Sequence, residues 1–273
     1  MKLILGYSTT GASIARFLEK RGEAFIIYDD KNPVMNLPHY DIVIKSPGVP
    51  LSHPLCVGKK VINDLDLFAQ ILPNGARVIG ITGSTGKTTL ATLIDALFRY
   101  NGKEVALGGN IGTPVLDLPI LSSEGVYVLE MSSFQLETAP VLPIDLAIIT
   151  NIVPNHLDRH GTMEAYKLSK MNIFNYAKNR LYGLETLEIL DSVVNLFNLS
   201  KESPQVVLSE FKGLEHRLEI VAQRDHVTYV NDSKGTTFYA VGFALERFKN
   251  QGDIHLIMGG GIKEHSAAHY LRA

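Results

Sequence analysis

The stretch Val78 to Thr89, VIGITGSTGKTT, constrains this chain more than any other. An apolar run, Val78–Ile81, leads through Gly80, Gly83 and Gly86 into Lys87, Thr88 and Thr89. The amphipathic segment Leu90 to Tyr100 follows and stops at Asn101-Gly102, a helix-end signal. Strand, glycine turn, Lys-Thr and helix, in that order, make a phosphate cradle. Glycines let successive backbone N–H groups converge on phosphate oxygens, and the helix N-terminus adds partial positive charge. On this reading Gly83, Ser84, Thr85, Gly86, Lys87, Thr88 and Thr89 hold a nucleotide. Lys87 reaches the β- and γ-phosphates, and the Thr88 hydroxyl ligates Mg²⁺. A strict G-x-x-x-x-G-K-[ST] loop would carry glycine where Ile81 stands, so this is a variant. The bland alternative is a glycine-rich strand-to-helix turn with an incidental lysine.

Around this motif, short apolar runs alternate with helix-like segments, which predicts an α/β protein of parallel sheets flanked by helices. The strand-like runs are Leu3–Leu5, Ala24–Tyr28, Ile42–Ile44, Val78–Ile81, Val126–Leu129, Leu146–Thr150, Val227–Val230 and Ile254–Met258. Turn signals at Pro73-Asn74-Gly75 and Lys212-Gly213 divide the chain into residues 1–74, 75–213 and 214–273. Between Lys178 and Gly213 the pattern is hard to assign, and LYGLETLEILDSVVNLFNL reads as one helix. The opening MKLILGYSTTGAS has too short an apolar core for a secretory signal and reads as a first strand.

A formal net charge of -2 argues against nucleic acid or an anionic membrane as partner. No apolar run is long enough to cross a bilayer. Cys56 is the sole cysteine, so an internal disulfide and a cysteine-based zinc site are excluded, which fits a reducing cytoplasm.

Ligands of open α/β sheets sit beyond the carboxyl ends of the strands. Glu130 ends VYVLE and is a candidate Mg²⁺ ligand; the alternative is a solvated loop glutamate. In IVPNHLDRHGT, His156, Asp158 and His160 crowd one loop, and His156 is a candidate to ligate a metal or contact substrate; the alternative is a loop histidine that does neither. The segment TMEAYKLSKMNIFNYAK reads as a helix with Met163, Tyr166, Phe174 and Ala177 on one stripe. Lys170 fills the gap in that stripe. It is either a snorkelling lysine or a buried amine of lowered pKa that takes up CO₂ and becomes an anionic carbamate suited to Mg²⁺.

GITGSTGKTT, LEMSSFQLE, NIVPNHLDRHG, GLEHRLE and VNDSKGTT resemble, in order, the signatures of the Mur ligases, and SSFQLE and NDSK resemble those of the D-glutamate-adding branch. The resemblance implies a Rossmann-like N-terminal domain, a central P-loop ATPase-type domain and a partial C-terminal Rossmann-like domain. It implies ATP-dependent addition of D-glutamate to UDP-N-acetylmuramoyl-L-alanine by a cytoplasmic monomer. It implies two Mg²⁺ ions, at Thr88 and Glu130 and at His156 and a carbamylated Lys170. Asn110 is similar to a residue touching nucleotide and substrate. His216 and Arg217 are similar to the pair opening the third domain, and Asp232, Ser233, Lys234 and Lys263 to residues meeting nucleotide and amino acid. In the first domain, Ser8 stands where a dinucleotide fingerprint needs glycine, which argues against NAD. Ser8, Thr9 and Thr10 offer donors to a pyrophosphate, Asp29 or Asp30 faces sugar or base, and Ser46 resembles a substrate contact. Two departures from the family pattern are a shorter 178–213 stretch, with LYGLETLE as a candidate join, and a third domain that breaks off at Ala273, before the residues that hold the D-glutamate side chain. The competing classes are a folate polyglutamylase and a P-loop switch without ligase activity.

Overall fold

The computed structural model describes residues 1–259. Its first elements are β1 (Lys2–Leu5), α1 (Thr9–Lys20), β2 (Phe25–Tyr28), β3 (Ile42–Lys45), β4 (Lys60–Ile62) and α2 (Asp64–Ala69). The strands pair in parallel in the order β2-β1-β3-β4. The period of α1 puts Ile14 and Leu18 on one face, against Ile4 and Ile44 of the sheet. A capping box between Asn63 and Asp66 starts α2.

The central block comprises β5 (Arg77–Thr82), α3 (Lys87–Tyr100), β6 (Val105–Gly109), β7 (Val126–Glu130), α4 (Ser133–Leu136), β8 (Ile144–Ile149), α5 (Leu157–His160), α6 (Met163–Met171), β9 (Ala177–Tyr182), α7 (Thr186–Phe197) and α8 (Ser203–Glu210). Its five strands are parallel in the order β6-β7-β5-β8-β9, with β5 in the middle. β7 and β8 are buried along their whole length, because a parallel sheet is covered on both faces. On one face α3, α7 and α8 bury Leu93, Leu97, Ile189, Val193 and Val207 against Ile79 and Ile81. On the other, Leu65 and Phe68 of α2 pack with Val78, Tyr127, Leu129 and Ile149, joining the first sheet to the second.

Beyond these lie an antiparallel hairpin, β10 (Glu219–Arg224) and β11 (Val227–Asn231), and α9 (Phe238–Phe248). Among the described residues, no helix is long and apolar enough to cross a membrane.

Three expectations fail. LYGLETLEILDSVVNLFNL is not one helix: its start belongs to β9, where Leu181 pairs with Ile148, and Gly183, at φ +68°, turns the chain into α7. The helix after the histidine loop ends at Met171, a 3-10 turn covers Asn172–Phe174, and Ala177 opens β9 rather than extending the stripe. Ile254–Met258 is irregular and largely exposed, not a strand. The sequence reading also passed over β4, β6, β9 and β10, which are short, glycine-bearing or polar.

Candidate nucleotide and ligation site

Neighbouring strand ends of the central sheet build the site. The chain leaves β5 through Gly83 and Gly86, at φ +152° and +79°, and enters α3 at Lys87. A Cβ on Gly83 would lie 1.9 Å from the Thr150 hydroxyl, so only glycine lets the loop approach the end of β8 this closely. The Thr150 hydroxyl donates to the Thr85 carbonyl at 2.7 Å, and the Thr85 amide donates to Asn151 Oδ1 at 3.1 Å. Ser84 Oγ donates to the Val153 carbonyl and lies 2.9 Å from the Tyr166 hydroxyl. Protein groups of β8, its following loop and α6 thus hold the loop, with Thr89 in the first turn of the helix behind it.

Glu130, at the end of β7, is buried but not isolated. Its carboxylate accepts from the Thr88 hydroxyl at 2.8 Å and from the Asn110 amide at 2.9 Å. Asn110 is held there because Gly109 packs against the Glu130 carbonyl, to which the Asn110 N–H donates at 2.7 Å. Arg217, far along the chain, reaches Thr88 Oγ1 at 3.4 Å, and its Nε is buried without a partner among the described residues.

Two lysines converge on the loop. Lys87 Nζ donates to the carbonyls of Gly83 and Ser84 at 2.9 and 3.3 Å, and burial lowers its pKa. Lys170 is 2 % exposed; its Nζ donates to the Gly83 carbonyl at 2.8 Å and sits 4.8 Å from the Tyr166 ring centre. Burial first, then the charge of Lys87, push its pKa from 10.5 to about 6, with Glu130 opposing. The ammonium does not snorkel to water, so that bland reading of Lys170 fails.

His156 has a left-handed backbone, φ +54°, and packs edge-on against Phe134 with centroids 5.0 Å apart. His160 stacks on Phe134 at 5.3 Å and approaches Tyr166 at 5.2 Å, and Lys170 lies over that Tyr166 ring. Burial lowers the His160 pKa.

At the carboxyl edge of the first sheet, Tyr7, Ser8, Asp29 and Lys31 line an open cavity of roughly 400 Å³, with Thr9 and Thr10 beginning α1 beside it. Asp29 accepts from the amides of Tyr7 and Lys31, which hold its carboxyl below the usual range, whereas Asp30 pairs with His53 at 3.2 Å. Ser46 is buried, and its hydroxyl donates to the Gly6 carbonyl at 2.7 Å. In the third block, the Leu218 amide donates to Asp232 and the Lys234 amide to the His216 carbonyl, so the two motifs GLEHRLE and NDSKG fold onto each other. The Ser233 amide donates to Asn231, and the Lys234 side chain is exposed. Lys263 lies outside the described residues.

Sequence reasoning missed Tyr166, whose hydroxyl lies against Ser84 of the loop, as a builder of the site. Only the inward position of Tyr166, one turn before Lys170, offered a signal.

A glycine-shaped phosphate loop, a buried acid at the next strand end and a lysine pair define a P-loop α/β protein. The Mur ligase middle domain matches residues 81–188. The UDP-N-acetylmuramoylalanine–D-glutamate ligase of Francisella philomiragia is 33% identical over 96% of this chain and 75% of its own length. That of Francisella tularensis subsp. novicida is 32% identical over 96% and 74%. The chain belongs to the Mur ligase family, on the branch of the UDP-N-acetylmuramoylalanine–D-glutamate ligases. Two solved structures share the fold. They are the MurF ligase of Thermotoga maritima in complex with ADP, with a TM-score of 0.55 at 17% identity over 90% of this chain and 71% of that one, and the UDP-N-acetylmuramate-alanine ligase MurC of the same organism, with a TM-score of 0.54 at 15% over 91% and 78%.

Proposed function

We propose that the chain is a cytoplasmic, monomeric ATP-dependent ligase that joins D-glutamate to UDP-N-acetylmuramoyl-L-alanine. One observation carries this: Lys87 and Thr88 of α3, Glu130 of β7, Asn110 beyond β6 and Lys170 of α6 converge on a single phosphate loop. The names of the relatives supply the substrates.

A substrate carboxylate oxygen attacks the γ-phosphorus of ATP, and the bond to ADP breaks, leaving an acyl phosphate. The D-glutamate amine then attacks the acyl carbon, loses a proton and expels phosphate. No protein nucleophile is required. Gly83 through Thr89 cradle the phosphates, and Lys87 turns from the loop carbonyls toward their charge. The buried Nε of half-buried Arg217, without a partner among the described residues and beside Thr88, suits an anionic ligand there.

The donor set at Thr88 and Glu130 fits Mg²⁺, a cation bound through one or two carboxylates plus substrate phosphates rather than a full protein cage. When bound there, Mg²⁺ neutralises charge on the transferring phosphoryl group. His156 and a carbamylated Lys170 would hold a second ion. A neutral Lys170 amine, favoured by a pKa of about 6, is the form that takes up CO₂, and the resulting anion would have to leave the Gly83 carbonyl it now faces.

The first block, to residue 74, holds the uridine diphosphate at its open cavity, with Ser8, Thr9, Thr10 and Asp29 or Asp30 in contact and Ser46 beneath. Residues 75–213 hold ATP, and those from 214 onward, through Arg217, Asp232, Lys234 and Lys263, meet nucleotide and amino acid. The test is phosphate release: it should need the muramoyl-alanine substrate, D-glutamate and Mg²⁺ together, and Lys87→Ala should abolish it. Undiminished release by that variant would sink the nucleotide assignment.

A further inference from the structure

The motif SSFQLE does more than mark a branch: its last residue lies at the junction of the two sheets. Glu137 Oε1 accepts from Lys45 Nζ at 2.8 Å and from Arg159 Nη2 at 3.2 Å. Lys45 comes from the end of β3 and is fully buried; Arg159 comes from the histidine loop. Both cations also donate to the Val49 carbonyl, at 2.8 and 2.7 Å, and Arg159 takes the Gly48 carbonyl at 2.8 Å. Lys45 further reaches the Phe134 carbonyl at 3.4 Å, while the Arg159 guanidinium lies over the Phe134 ring at 4.9 Å.

A buried ion pair is a poor source of net stability, since an apolar pair of the same volume often serves as well. Two cations around one carboxylate are a poorer source still. What this arrangement does achieve is placement. The turn Ser46–Val49 is tied to the rim of the first-sheet cavity through Ser46 Oγ on the Gly6 carbonyl and the packing of Val49 against Gly6. The histidine loop is tied to the phosphate loop through His160, Tyr166 and Ser84. Among the described residues, Glu137 is the carboxylate on which the two ties meet.

We infer that Lys45, Glu137 and Arg159 form a positioning clamp that holds the first-sheet turn in register with the histidine loop, so that a substrate anchored on one sheet presents its carboxylate to the phosphate anchored on the other. This rests on the ligase reading above. The two ends of such a substrate are held by different sheets, so the offset between the sheets sets the attack geometry, and a displacement of about 1 Å can cost on the order of 10²-fold in rate.

The test uses two variants of the full chain. Glu137→Gln keeps the shape and removes the charge; Lys45→Met with Glu137→Leu removes the buried pair and keeps the volume. In both, the clamp predicts a fall in kcat of about 10²-fold while ATP affinity, read by calorimetry, stays within about twofold. The double variant should unfold at the wild-type temperature and still not recover kcat, which a merely structural pair would not predict. In Glu137→Gln, hydrogen exchange should rise together at 46–50 and 156–161. Wild-type kcat in the double variant, or exchange rising at only one of the two segments, overturns the clamp. If the wild-type chain does not ligate D-glutamate at all, the substrate reading fails separately, and the exchange result decides the clamp alone.

Discussion

Lys87 and Lys170 donate to the same oxygen, the carbonyl of Gly83, at 2.9 and 2.8 Å. Two ammonium groups on one dipole repel, and in a buried site the cheaper arrangement is for one of them to give up its proton. Lys170 is the one so placed, with its pKa pushed to about 6. Near neutral pH Lys170 is therefore a neutral amine, and burial lowers the pKa of Lys87 beside it as well.

Replacing that amine should separate stability from activity. The unfolded chain binds a proton at Lys170 up to pH 10.5 and the folded chain only up to about 6. Stability from this group is therefore lost as pH falls from 10.5 toward 6 and is flat below. Lys170→Met should raise stability at pH 7, by up to about 5 kcal/mol, and flatten this dependence. Lys170→Ala should lose turnover, with partial rescue by acetate as a substitute anion. Near-normal turnover in Lys170→Ala means the lysine is only packing.

Asp64 should titrate with the opposite sign. It is buried at the sheet junction, where Gln135 Nε2 donates to both its oxygens at 3.3 and 3.1 Å. Burial raises its pKa from 3.8 to about 6. The folded state holds the extra proton, so stability falls as pH rises from about 4 to 6 and is flat above. Asp64→Asn should remove that slope and gain on the order of 2 kcal/mol at pH 7.5, read by urea unfolding at several pH values. An unchanged slope would show that the carboxyl ionises without cost.

Gly83→Ala should unfold the loop locally. A Cβ there would sit 1.9 Å from Thr150 Oγ1 at φ +152°, a strain of about 1–3 kcal/mol before the clash is counted. Nucleotide affinity should fall by at least about tenfold, a loss of about 1.4 kcal/mol. Calorimetric titration with ATP checks this, and wild-type affinity would mean that the loop does not need its present shape.

A panel of D- and L-amino acids tests the amine. D-glutamate should be ligated in preference to L-lysine or meso-diaminopimelate; the reverse order would overturn the substrate reading.

The phosphate loop was legible because each of its physical requirements is local: glycine at positive φ, a lysine and a helix start lie side by side in sequence. Lys170 was legible for a related reason, since its period alone set it among apolar neighbours. The pairing of Lys45 with Glu137 was not, because a lysine ending a strand looks solvated until a second sheet covers it. Nor was the 178–213 stretch, where β9 carries charged residues on an edge strand and imitates the start of a helix.

In the central sheet Asn110, Glu130, Lys87 and His156 lie at or beyond the carboxyl ends of β6, β7, β5 and β8, which are adjacent in space. The cavity attributed to uridine hangs from a different sheet, and Arg217 arrives from a third block. Over evolutionary time such a layout lets descent with modification act on the two ends separately. Substitutions that re-tailor what is gripped at either end need not disturb the four strand ends, and a lineage can diversify its products while inheriting one unaltered engine.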